Sequence, residues 1–263
     1  MKQIILFVFI LFFILSCTQT KEINSELFLK LQESEKLFQK GLMTDDPLQK
    51  DHFFRSASIL EELISQDKIE NGYIYYNAAN GWMNSDHIGK AIISYKKALQ
   101  LLPNNKNIRN NLELARSTVQ YSIEKNGGNP LLETLFFVHY DLSFQMRFAF
   151  LIFLTFCIFT TASIYLFKKR LFFRNLIFLL SICGILLGTS IIVDLFEKTE
   201  GVITSQEIVS RKGDSEGYEN SFSQPLTEGV EFKLLSERNG WYYIEITDGR
   251  TCWIPQYSAE LLD

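Results

Sequence analysis

The stretch Tyr75-Tyr76-Asn77-Ala78-Ala79-Asn80-Gly81-Trp82, with Ala91, Tyr95, Ala98 and Pro103 behind it, decides the reading of the first half of this chain. Tyr75, Ala78, Ala79 and Trp82 fall at helical spacing and form the face of one helix, and Ala91, Tyr95 and Ala98 line a second. Ala79 and Ala91 are small enough to let two backbones approach, while Trp82 and Tyr95 fill the neighbouring holes. Pro103 stops the second helix because it cannot continue the hydrogen-bond ladder. The pattern predicts two antiparallel helices in close contact.

The same text recurs. Ala57 and Ala91 stand 34 positions apart, each followed by an apolar helical run. That period resembles the tetratricopeptide repeat. The resemblance is clearest over residues 72–105 and extends to a module at 18–125. Leu112–Arg116 fits a further opening or capping helix. Leu27–Gly41 fits the opening helix of the preceding copy, lengthened around Asp45-Asp46-Pro47. Such repeats bind an extended or helical partner segment in their groove, and the resemblance implies that here. Ala91→Glu is expected to unfold this module alone, with Lys96 and Lys97 on an exposed face.

Asn126-Gly127-Gly128-Asn129-Pro130 ends the module, and 126–147 reads as linker and aromatic interfacial segment. Two apolar runs follow, at 148–167 and 176–195, the first uncharged throughout and the second uncharged up to Val193, each near the twenty or so residues needed to cross a bilayer. Between them, 168–175 carries Lys168, Lys169, Arg170 and Arg174 and no acid. Positive loops stay in the cytoplasm, so both flanking modules are expected outside it, on the inner membrane. The N-terminus agrees: Lys2 and the apolar run Ile4–Leu15 form an export signal over 1–17. Ile14-Leu15-Ser16-Cys17 resembles a bacterial lipobox, departing from it at Leu15, and the resemblance implies lipidation of Cys17.

Residues 197–263 alternate like strands and are acidic, with six basic side chains against thirteen acidic ones. Expected strands begin at Gly201-Val202-Ile203 and Glu207–Ser210. Leu226–Phe232, Asn239–Ile246 and, after an Asp248-Gly249 turn, Thr251–Ile254 follow. The order "Leu-x-Glu-Gly", "Gly-Trp-Tyr-x-Ile", "Asp-Gly…Trp-Ile" resembles the bacterial SH3-like small barrel, with Cys252 where a glycine is usual. Trp241, Tyr242, Tyr243 and Trp253 are candidates for a peptide- or glycan-binding groove or for its core. Alternation puts Trp241 and Tyr243 on one side and Tyr242 on the other.

Catalytic chemistry is not legible. His52, His87 and His139 are dispersed without metal-ligand spacing, and no glycine-rich phosphate loop is followed by Lys-Ser/Thr. Cys252 has no histidine after it to act as a base. Asp194 reads as an interfacial acid at the end of the second span. Net charge is −4 without a basic cluster beyond the short loop, which argues against nucleic acid. No cofactor, metal or enzymatic role is expected.

Taken whole, the order of export signal, helical repeats, membrane hairpin and SH3-like domain resembles the BatE-type proteins of bacterial aerotolerance (Bat) operons. That resemblance implies a non-enzymatic scaffold in a cell-envelope complex, with von Willebrand A-type membrane proteins as partners. Peptidoglycan binding or sensing is the alternative, and membrane lipid is a partner of the anchor in either case.

Overall fold

A computed structural model describes residues 25–43, 48–67, 69–119, 142–196 and 198–262 of this chain. The expected signal and Cys17, His139 and residues 126–141 of the linker lie outside these residues, as does the side chain of Asp194.

Five helices come first: α1 Ser25–Met43, α2 Gln49–Asp67, α3 Gly72–Asn84, α4 Ile88–Leu101 and α5 Lys106–Thr118. Each packs on the next in sequence. The 34-residue period appears in their caps. Asn71 accepts from the backbone N–H groups of Tyr73 and Ile74, and Asn105 does the same for Asn107 and Ile108. Both side chains satisfy donors that a helix leaves unpaired at its start. Ala57 and Ala91, the first pair to show the repeat, are both fully buried. Between α1 and α2 two buried serines clasp each other: Ser34 Oγ donates to Ser56 O at 3.0 Å, and Ser56 Oγ to Ser34 O at 2.8 Å.

Two long helices follow, α6 Phe144–Lys168 and α7 Leu171–Phe196, packed against each other. Both are long and apolar enough to cross a membrane, and none of their most apolar windows is buried within the protein. Helical structure runs past the apolar runs at 148–167 and 176–195, so the expected eight-residue loop shrinks to a break at Lys169-Arg170. Lys169 closes α6 in the left-handed conformation, at φ 42°. The charged ends can stay helical because Lys and Arg extend their head groups away from apolar surroundings on flexible stems. At the other end Arg147 is buried and donates through Nη1 to Ser190 Oγ at 2.9 Å, tying α6 to α7.

The C-terminal residues form a five-stranded antiparallel sheet ordered β6-β5-β4-β1-β7 and a two-stranded pair, β2-β3. The strands are β1 Glu200–Ile203, β2 Glu207–Ile208, β3 Leu226–Thr227, β4 Glu231–Arg238, β5 Trp241–Ile246, β6 Thr251–Pro255 and β7 Ala259–Leu262. The expected single strand Leu226–Phe232 is broken at Gly229, whose φ of +88° a β-branched or bulky residue would not adopt. β4 runs on to Arg238 and turns into β5 through Asn239-Gly240, both at positive φ, as a tight hairpin requires. β7 was not anticipated. It pairs along the whole of β1 and so joins the last strand of the sheet to the first.

Candidate functional site

The residues singled out in the helical half lie together. Ala78, Ala79, Trp82, Ala91, Tyr95 and Ala98 are all buried in one apolar cluster, Tyr75 packs against it, and Pro103 lies in the turn after α4. Trp82 is flanked by the rings of Phe54 and His87, and Lys90 Nζ lies 4.4 Å from its ring centre. His87 is held through Nδ1 at 2.9 Å from Ser85 O, and His52 is buried in α2.

Helix α4 is buried on two sides. Ala91, Tyr95 and Ala98 repeat at i, i+4, i+7 toward α3. Gly89, Ile92 and Lys96 repeat at i, i+3, i+7 and turn a second stripe to the sheet. A Cβ on Gly89 would collide with the Ile203 carbonyl oxygen, and one on Gly229 would stand 2.6 Å from Val119 Cγ2. The two backbones therefore approach more closely than side chains would permit.

Charge fixes the register of this contact. Lys96 Nζ pairs with Glu200 and, at 2.8 Å, with Glu231 Oε2. Arg116 from α5 grips the same Glu231 through Nε at 2.6 Å and Nη2 at 2.9 Å. Burial alone would raise the Glu231 carboxyl. The Arg116 hydrogen bonds and the Lys96 charge outweigh burial and hold the carboxyl down at about 2. Glu228 Oε1 accepts the backbone N–H of Gly89 at 2.9 Å.

Two expectations are corrected here. Lys96 is only 8 % exposed, so it is not on a solvent face. Its four-carbon stem reaches between two carboxylates, and that pairing outweighs the usual preference of lysine for water. Nor do the two long apolar helices isolate the halves that flank them, since α4 and α5 dock directly on β1, β7 and Glu231.

The aromatic group of the sheet divides as alternation predicts. Tyr242 packs on the core beside buried Ile244 and Ile246. Tyr243 and Trp253 face each other across β5 and β6 on the opposite side and stack at 5.1 Å. Arg238 lies 5.2 Å over Trp253, and Tyr243 Oη donates to Thr251 Oγ1 at 3.0 Å. Trp241, two residues from Tyr243, shares that side at the strand end. Cys252 faces inward and is buried, and desolvation pushes its thiol up to about 12. A thiol held protonated in this way is a packing group rather than a nucleophile.

One polar cluster was not anticipated. Tyr95 Oη donates to Asn80 Oδ1 at 2.7 Å. Asn111 Nδ2 donates to the same oxygen at 3.0 Å and to Tyr76 Oη at 3.3 Å. Desolvation raises the Tyr95 hydroxyl strongly, so it stays a donor. Three helices meet at Asn80, and sequence spacing gave no sign of it because Asn is also a common surface residue.

No family model matches this chain, and neither a curated protein nor a solved structure is significantly similar to it.

Proposed function

We propose that this chain is a non-enzymatic, membrane-anchored scaffold whose helical stack is of the tetratricopeptide type and whose sheet is an SH3-like small barrel. The observation that carries the reading is the path from membrane to docked unit. Three residues separate the end of α7 at Phe196 from Glu200, which opens β1 and pairs with Lys96 of the stack. A segment that short spans about 10 Å, so the apolar hairpin holds the docked halves beside the bilayer. The lysine and arginine side chains at the hairpin turn support an outward placement of both halves. Cys17, if acylated, would add a second anchor. The order of elements favours a BatE-type role in an envelope complex with von Willebrand A-type membrane proteins.

A second reading, peptidoglycan binding, has its own observation. The stacked Tyr243 and Trp253 with Arg238 form an aromatic plate on the side of the sheet away from its core, and such plates suit sugar rings as well as peptides.

Capture of the intact protein in mild detergent separates the two. A defined set of membrane partners supports the scaffold. Retention on isolated wall material, lost in Trp253→Ala, supports the alternative. If no membrane partner is captured, the scaffold reading falls.

A further inference from the structure

We infer that the turn of the apolar hairpin is a binding site for the headgroup of an anionic phospholipid. This deepens the membrane-anchored reading and rests on it. Lys168, Lys169, Arg170 and Arg174 crowd the turn between α6 and α7, and all four are exposed. From Phe148 to Val193 the hairpin holds no aspartate or glutamate. Among the described residues, no hydrogen bond or ion pair engages any of the four side chains. Positive charge in the loop serves membrane insertion, but in the folded chain it stays without a counter-charge.

The fold accounts for only half of this charge. Lys168 ends α6 and Lys169 caps it, and cations there complement the negative end of a helix. Arg170 and Arg174 have no such reason to be where they are. They flank the first turn of α7, the positive end of a helix of 26 residues, and that turn carries no acid to offset them. What the arrangement lacks is an anion from outside the chain.

The apolar neighbours identify that anion as a lipid. Phe167 precedes the lysines and Phe172 lies between the arginines, with 91 % and 68 % of their surfaces exposed. A free phosphate or an acidic protein segment would leave both rings in water. An anionic phospholipid matches both features, with a phosphate for the cations and acyl chains for the rings. The level fits as well. Helices α6 and α7 are each long enough to cross a bilayer, so a turn at their end lies among headgroups. Lysine and arginine heads reach that layer on their flexible stems. Clustered basic side chains beside a membrane helix attract anionic headgroups, whereas a zwitterionic headgroup brings its own cation.

The test uses full-length protein in detergent, where the direction of membrane insertion does not enter. Phosphatidylglycerol and phosphatidylcholine with identical acyl chains are added at equal concentration, and retained lipid is counted by native mass spectrometry. The expected result is a preference of about tenfold or more for phosphatidylglycerol. It should vanish in Arg170→Gln/Arg174→Gln with an unshifted melt and persist in Arg170→Lys/Arg174→Lys, which keeps the charge. Equal retention of the two lipids would overturn the assignment, as would an unchanged preference in the glutamine pair. Loss in the lysine pair as well would trace the effect to the structure of the turn and overturn it too. Glycerol phosphate should not displace the bound lipid, and displacement would make the turn a free-phosphate site instead. A carbonate wash of membranes that hold the same protein tests the anchor separately. A chain that stays in the membrane yet shows no lipid preference loses this inference alone. A chain that washes off takes the membrane-anchored reading with it.

Discussion

The carboxylate of Glu228 accepts the backbone N–H of Gly89 at 2.9 Å, so a residue of the sheet caps a helix that begins 140 positions earlier. Helix α4 needs this. His87 stands at its N-cap and makes no side-chain cap bond, whereas α3 and α5 each start at an asparagine that does. Glu228 is held above the usual carboxyl range by burial, which the Gly89 N–H offsets only in part. Glu228→Ala should therefore remove a cap and cost about 1 kcal/mol. Glu228→Gln keeps the acceptor without the desolvated charge and should be close to neutral. Thermal melts of the two variants in detergent should differ by several degrees, and equal melts would show that the cap contributes nothing.

Lys96→Glu removes the lysine shared by Glu200 and Glu231 and places a third carboxylate against them, while Arg116 stays on Glu231. Breaking a buried ion cluster in this way costs about 3–5 kcal/mol. The variant should undock the two halves, seen as new protease cleavage and faster amide exchange in both α4 and β1. Lys97→Glu, on the adjacent and half-exposed position, should change stability by no more than about 0.5 kcal/mol. Equal effects from the two would mean that the buried pairing is not what holds the halves together.

Much of the fold was legible because it is local. Trp82, Ala91 and Pro103 give their helices away by period alone, and Asp248-Gly249 announces its turn. The docking was not legible, for a physical reason. Lys96 reads as solvated because lysine almost never buries itself, and it takes Glu200 and Glu231, 104 and 135 positions away, to reverse that. Gly89 and Gly229 look like ordinary breakers, and their use as a contact between distant backbones leaves no periodic trace. Alternation did sort Tyr242 from Tyr243. It gave no hint of the Asn80–Asn111 cluster, which depends on which three helices meet.

The acid limb of stability should carry the mark of Glu231. Its carboxyl titrates at about 2 in the folded protein against an ordinary value of 4.5. A lowered value means that the folded state prefers the charged form. The stabilisation is complete above about pH 4.5 and fades as pH falls toward 2. At 1.36 kcal/mol per unit, it amounts to about 3 kcal/mol. Glu231→Gln should flatten this limb while lowering stability at neutral pH. Glu228 and Glu260, both raised by burial, contribute with the opposite slope. The difference between wild type and Glu231→Gln therefore isolates the group. Parallel acid limbs in the two proteins would rule out the Arg116–Glu231–Lys96 cluster as their cause.

Ala91→Glu tests the shared core most directly. Ala91 has no exposed surface and lies on the stripe of α4 that meets α3. A carboxylate there has no cation within its own stripe and would be buried unpaired, at a cost of about 3 kcal/mol or more. A single domain has about 5–15 kcal/mol to lose, so the helical stack should be close to unfolded. The consequence reaches further than the stack. The opposite stripe of α4 carries Gly89, Ile92 and Lys96, against which β1 and β7 rest. Once α4 loosens, Glu200 and Glu231 lose their lysine and Val202 and Ile203 their cover. Hydrogen exchange should therefore quicken in residues 200–203 and 259–262 as well as in 88–101. Retained protection at β1 and β7 in a variant whose helices have melted would show that the sheet stands alone and that the docking is only a contact between two independent folds.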